Sequence, residues 1–191
     1  MILITGLGNP GPKFKNTRHN IGFLVLDEFS EENGFPDWVE SKSTNCLYAR
    51  KIINEKEIEL VKPFTYMNSS GKTVRAIAKK HNLKSNNIIV IHDDLDLPLG
   101  KIKIVRKRGA AGHKGVQSII NELKTKDFIR IRIGIRSKKI ENRNQKTGDF
   151  VLKKFNKEEE KILKGAIEKA VKAIEFFLKE GLEKTMSEFN G

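Results

Sequence analysis

Four polar spots in this sequence carry side chains suited to acid–base chemistry: Asn9 in the opening loop, "TRHN" at 17–20, "YMNSSGK" at 66–72 and "HDDLDLPLG" at 92–100. His19 precedes a predicted helix start. The positive end of a helix dipole disfavours imidazolium and keeps a neutral ring able to accept a proton. The competing reading for a single histidine is a cap or a surface residue. Asp93 follows the buried run "NIIVI", a position from which a carboxylate can orient a partner's ring. Its neighbours His92, Asp94 and Asp96 raise a metal reading, but carboxylates and one histidine within five residues lack a recognisable ligand spacing, and they read as turn and strand-end residues. Asn68 stands before "SSGK", where it either caps a helix or offers its amide to a developing oxyanion. Phe64 and Tyr66 read as packing residues, with an exposed Tyr66 able to support a base or sugar.

Two glycine motifs point elsewhere and fail on context. Gly6, Gly8 and Gly11 match G-x-G-x-x-G directly after an apolar run. Pro10 and Pro12 flank the last glycine and "KFKNTRHN" follows, so the helix that would hold a pyrophosphate cannot start there. Asp27 has the spacing of the ribose-binding acid but lies in "IGFLVLDEF", a helical pattern. "GAAGHKG" at 109–115 misses the Walker spacing, since valine follows its last glycine. A glycine loop offering backbone amides and Lys114 to a phosphodiester stays open. Neither motif implies a bound cofactor.

Composition narrows the partners. The 191 residues hold 37 Lys and Arg against 24 acids, a formal charge of +13, which favours a polyanion. The positive residues cluster. Leu97 to Val116 contains no acid but holds Lys101, Lys103, Arg106, Lys107, Arg108 and Lys114; Phe128 to Ile140 contains no acid but holds Arg130, Arg132, Arg136, Lys138 and Lys139. Two acid-free basic segments favour nucleic acid over a lysine-rich surface kept for solubility. Cys46 is the only cysteine, which excludes an internal disulfide and cysteine-based zinc and points to the cytoplasm. The opening apolar run is too short for a signal peptide and no stretch could span a bilayer, so no membrane role is expected. No self-association signal appears, and a monomer is expected.

The elements that must position these residues follow from periodicity. Residues 1–5 read as a strand and about 20–32 as a helix. "CLYARKII" and "IELVKP" form a hairpin, and a helix with Val74, Ile77, Ala78 and His81 on one face follows "MNSSG". "NIIVI" reads as a buried parallel strand and "KIKI" as an alternating one. A helix carries Val116, Ile119, Ile120 and Leu123. "FIRIRIGI" sets four isoleucines against Arg130, Arg132 and Gly134, and Lys157 to Glu180 is an amphipathic helix stopped by Gly181. "RSKKIENRNQKTGD" is the candidate mobile loop. Alternating strands and helices predict one α/β domain with a mixed sheet.

Taken in order, "ITGLGNPGPKFKNTRHNIGF", "KPFTYMNSSGK", "HDDLDLPLGKIKI", "GAAGHKG" and "FIRIRIGI" resemble the bacterial-type peptidyl-tRNA hydrolases, from Met1 to the closing "MSEFN". The resemblance implies a single domain over 1–191, a mixed twisted sheet flanked by helices, and hydrolysis of the ester between a peptide and the 3′-terminal ribose of tRNA. It places the family's catalytic histidine on His19, its orienting aspartate on Asp93 and two substrate-holding asparagines on Asn9 and Asn68. Water is then the nucleophile, and neither metal nor cofactor is needed. Phe14, Tyr66, Asn68 and Lys114 become candidate contacts to the substrate end, and Lys103, Arg106, Arg132 and Lys138 candidate contacts to tRNA phosphates. Two positions depart from the commonest pattern. Phe14 replaces a tyrosine, losing a hydroxyl, and Lys114 replaces an asparagine, losing an acceptor. The rival reading is an inactive RNA-binding protein of the same fold, which has no need of Asn9, His19, Asn68 and Asp93 together.

Overall fold

The computed structural model describes residues 1–137 and 147–190. Its strands are Ile2–Gly6 (β1), Val39–Ser41 (β2), Cys46–Ile53 (β3), Lys56–Pro63 (β4), Ile88–Pro98 (β5), Ile102–Arg106 (β6) and Ile129–Arg136 (β7). They form a 7-stranded mixed sheet in the order β2-β3-β4-β1-β5-β7-β6. β1 lies parallel to both β4 and β5, and β5 is parallel to β7. β2, β3 and β6 join antiparallel at the two sides.

Side-chain alternation divides the core between the two faces of this sheet. Ile4 and the isoleucines 129, 131, 133 and 135 face helices Ile21–Glu32 (α1) and Lys157–Glu180 (α5), where Val25, Phe29, Ala170 and Ile174 are buried. Leu3 and Val90 face Ser70–Lys80 (α2) and Lys114–Leu123 (α3) through Val74, Ile77, Val116 and Ile119. A short helix Thr147–Val151 (α4) precedes α5, and Leu182–Phe189 (α6) follows it. α5 starts on a capping box in which Asn156 accepts from the Glu159 amide and Glu159 accepts from the Asn156 amide. It stops at Gly181, whose φ is 84°. Among the described residues, no helix is long and apolar enough to cross a membrane.

The expected single α/β domain is what forms, with local differences. The strand read at "NIIVI" continues to Pro98, so Asp93 lies inside it rather than after it. α2 begins within "MNSSG", and His81 turns from the apolar face to Arg50 Nη2 at 3.1 Å and Glu59 Oε2 at 3.6 Å. β2, α4 and α6 had no sequence signal. Of the candidate mobile loop, residues 138–146 lie outside the described residues.

The opening glycines serve packing. A Cβ at Gly6 would meet Gly22 C at 2.6 Å, and one at Gly22 would meet Ile91 O at 2.5 Å and Leu7 O at 2.7 Å. Only paired glycines let α1 descend onto the end of β1. At the far side of the sheet, the Asn190 side chain accepts from Ile104 N at 2.7 Å and donates to Ile104 O at 3.0 Å. It thereby occupies the backbone N–H and carbonyl of Ile104 on β6.

Candidate active site

β1 stops pairing with β5 at Gly6, opposite Ile91, while β5 runs on. Asp93, two residues further, therefore has β7 on one side and a gap on the other. Such a gap is where open α/β sheets place their sites. The turn Arg18–Asn20, leading into α1, fills it and brings His19 Nδ1 to 2.8 Å from Asp93 Oδ1. From the opposite side His113 Nε2 reaches the same oxygen at 2.9 Å. Asp93 is 2% exposed.

The hydrogen positions follow from the partners. The Val116 backbone N–H donates to His113 Nδ1 at 3.2 Å as the cap of α3. A neutral His113 ring must then carry its hydrogen on Nε2, which donates to Asp93. An ionised carboxylate only accepts, so His19 also donates to it, from Nδ1. That leaves His19 Nε2 as the basic nitrogen, without a protein partner among the described residues. The ligand atoms of His19, Asp93 and His113 lie within 4.8 Å of one another, compact enough to hold an ion. In this tautomer, however, neither nitrogen facing Asp93 has a lone pair to offer.

Burial alone would raise the Asp93 pKa, but His113 and His19 outweigh it by charge and hydrogen bonding and hold the carboxyl far below the usual range. His92, fully enclosed behind it, is also shifted downward, which here favours the neutral ring. Burial, then the neighbouring His113, push its pKa well below that of a free histidine. Its Nδ1 donates to Asp93 O at 2.6 Å, and Nε2 has no partner among the described residues.

A second network orients Asn9. Its backbone N–H donates to Asn20 Oδ1 and its carbonyl accepts from Asn20 Nδ2, both at 2.9 Å. Its own Oδ1 accepts from Met67 N at 2.9 Å. With the oxygen engaged, the amide Nδ2 is the group left to meet a ligand. Asn9, His19, Tyr66, Asn68, Asp93, His113 and Lys114 line one cleft of about 870 Å³, walled on its far side by Gly148 to Leu152. Asn68 is exposed in a one-turn 3-10 helix, Met67–Ser69, and makes no cap bond. Tyr66 is 65% exposed and meets Phe14 edge-on at 6.4 Å between ring centres; Phe14 itself is not a wall of the cleft.

An adjoining pocket of about 350 Å³ shares Asp94 and Ala111 with that cleft and is lined by Lys103, Arg108, Arg130 and Arg132. Arg132 Nε donates to Asp94 Oδ2 at 2.5 Å. Burial, then Arg132, push the Arg130 pKa down to about 10, against the pull of Asp94. Of the other expected phosphate contacts, Arg106 does not line this pocket. Arg106 is held by Asp127 at 2.6 Å, and Lys138 lies outside the described residues.

His113 and Asn20 are the members of this arrangement that the sequence reading left without a role. His113 sat inside a glycine motif weighed only for phosphate binding. Asn20 was part of "TRHN" but read as a helix start. A polar residue directly before a helix start is the available signal for each.

Comparison with known proteins agrees with this geometry. The family model for peptidyl-tRNA hydrolase matches residues 3–191. Proteins named peptidyl-tRNA hydrolase from Bacillus subtilis strain 168 and Thermodesulfovibrio yellowstonii are 42% and 44% identical, over all of this chain and 98% and 99% of theirs. The crystal structure of peptidyl-tRNA hydrolase from Acinetobacter baumannii superposes with a TM-score of 0.92 at 29% identity, covering 100% of this chain and 95% of that one. On the full-length match, the shared architecture and the identity to these relatives, this chain belongs to the peptidyl-tRNA hydrolase family.

Proposed function

We propose that the cleft cleaves the ester joining a peptide to the 3′-terminal ribose of tRNA by general-base attack of water. His19 Nε2 removes a proton from water as the oxygen adds to the ester carbonyl, and the Asp93 charge stabilises the imidazolium that forms. The Asn68 amide donates to the tetrahedral oxyanion. Collapse expels the ribose oxygen, which takes the proton from His19, giving a free peptide acid and a tRNA with its 3′ end restored. Asn9 Nδ2 donates to the peptide carbonyl beside the ester, a contact that free aminoacyl-tRNA cannot make. Tyr66 and Phe14 support the terminal base or sugar. Lys114 and the basic pocket around Lys103 and Arg132 take phosphates, and Arg106 and Lys138 are read as further phosphate contacts. Every step uses groups of this chain and water, so the reading calls for no cofactor or metal. The enzyme is read as a cytoplasmic monomer that recycles tRNA from aborted translation.

The observation that carries the mechanism is the double donation to Asp93 Oδ1, which leaves His19 Nε2 as the free basic nitrogen. The test is release of deacylated tRNA from N-acetyl-aminoacyl-tRNA in chelator-containing buffer. His19→Ala is expected to lose roughly 10²–10⁴ in turnover with tRNA binding retained. Near-normal turnover in that variant overturns the assignment of the base.

A further inference from the structure

Arg18, next to the proposed base, sits in surroundings that an arginine seldom occupies. It is 5% exposed, and its guanidinium carbon lies 4.3 Å from the ring centre of Phe150 and 4.6 Å from that of Phe155. Nη2 donates to Glu159 Oε2 at 2.7 Å, and the same oxygen accepts from Asn156 N at 2.9 Å. Nε and Nη1 are buried without a partner among the described residues. The backbone is joined to the same segment: Arg18 N donates to Lys153 O at 3.0 Å, and Thr17 makes an isolated bridge with Lys154.

A desolvated guanidinium with two unsatisfied nitrogens is costly, and an apolar side chain would fill a slot between two phenylalanines more cheaply. What an apolar residue would not supply is a rigid plane that lies against the Phe150 ring while its edge is bonded to a carboxylate. The two rings are not equivalent. Phe150 is half-buried and walls the cleft, whereas Phe155 is buried in the core and does not reach it. The guanidinium therefore spans from the wall against which a substrate would lie to the turn that holds His19.

We propose that Arg18 is a positioning residue, coupling occupancy of the cleft wall at Phe150 to the alignment of His19 on Asp93. Pressure on Phe150 bears on the guanidinium plane. With its edge tied to the Glu159 carboxylate, the plane passes that constraint one residue along the turn to His19. This rests on the reading of His19 as the base.

The experiment compares Arg18→Lys, Phe150→Leu, Phe155→Leu and the double variant Arg18→Lys/Phe150→Leu. Each is measured for kcat and KM on N-acetyl-aminoacyl-tRNA, and for Tm. Arg18→Lys and Phe150→Leu are each expected to lower kcat about tenfold, and the double variant no further than the worse single. Phe155→Leu, which loosens the same stack from the core side, is expected to lower Tm while leaving kcat within twofold. Should Arg18→Lys not fold, Glu159→Gln, which keeps an acceptor for Asn156 N, takes its place with the same expectation. Wild-type kcat with a lowered Tm in the Arg18 variant makes the stack a structural bolt and overturns the proposal. Multiplying effects in the double variant, or equal kcat losses in the two phenylalanine variants, also overturn it. If His19→Ala is inactive and Arg18→Lys is normal, the coupling alone falls. An active His19→Ala removes the base assignment whatever Arg18 does.

Discussion

Gly22→Ala tests how tightly base and carboxylate depend on the seating of one helix. A Cβ at that position would stand 2.5 Å from Ile91 O and 2.7 Å from Leu7 O, backbone atoms with no rotamer to swing aside. Restoring an ordinary 3.4 Å contact from 2.5 Å moves α1 off the sheet by about 0.9 Å. The turn bearing His19 runs directly into α1, so the 2.8 Å bond from Nδ1 to Asp93 lengthens past hydrogen-bonding range. A displacement near 1 Å at reacting groups costs about 10²-fold in rate. Overpacking itself costs about 1–3 kcal/mol of stability, or roughly 2–12 °C in Tm for a chain of this length. Turnover of N-acetyl-aminoacyl-tRNA, measured well below the variant's Tm, is therefore expected to fall about 10²-fold while most molecules remain folded. Gly165→Ala is the control, because a Cβ there meets nothing within 4 Å. It is expected to leave turnover unchanged and raise stability by about 0.5–1 kcal/mol. Wild-type turnover in Gly22→Ala, or a loss equal to the unfolded fraction, would refute the claim that helix seating sets the alignment of His19.

Three other expectations follow from the same geometry. Asp93→Asn keeps an oxygen near both histidines but removes the charge, so kcat is expected to fall by about 10²–10⁴; loss confined to Asp94→Asn would show that the wrong acid was assigned. Burial beside His113 and Arg130 keeps His92 from protonating in the folded state, whereas in the unfolded chain it takes up a proton near pH 6.5. The unfolded state thus binds more protons below that pH, and stability falls by up to about 1.4 kcal/mol per pH unit as the solution is acidified. His92→Gln should flatten the slope below pH 6.5 in denaturant titrations, and an unaltered slope would contradict the assignment. Removing Lys103 or Arg132 is expected to reduce the log–log salt slope of tRNA binding by roughly one unit or somewhat less. Lys153→Ala and Lys154→Ala, outside the pocket, should leave it unchanged; equal slopes in all four variants would move the tRNA site elsewhere.

Long periodic segments announce themselves in this sequence, and short or composite ones do not. The isoleucines 129 to 135 and the helix between Asn156 and Gly181 were legible because alternation and capping recur over many residues. β2 has three residues, one of them a half-exposed Val39, and α4 has five, too few for either period to register. Site chemistry divides similarly. His19, Asp93, Asn9 and Asn68 stood out by residue type beside element ends. His113 did not, because its partner Asp93 lies 20 residues away on another element and its own surroundings are glycine. The pairing of Arg106 with Asp127 depends on β6 and β7 pairing antiparallel across the α3 connection, which charge clustering alone cannot reveal.

The Asn190 side chain against Ile104 also has a bearing on how the molecule behaves when crowded. By presenting an acceptor and a donor at the spacing of a neighbouring strand, it acts as a single-residue stopper on the outer rim of the sheet. An uncovered rim is a template onto which another chain can add strand upon strand. An Asn190→Ala protein that turns over substrate normally when dilute should still gain sheet-rich aggregates on concentration.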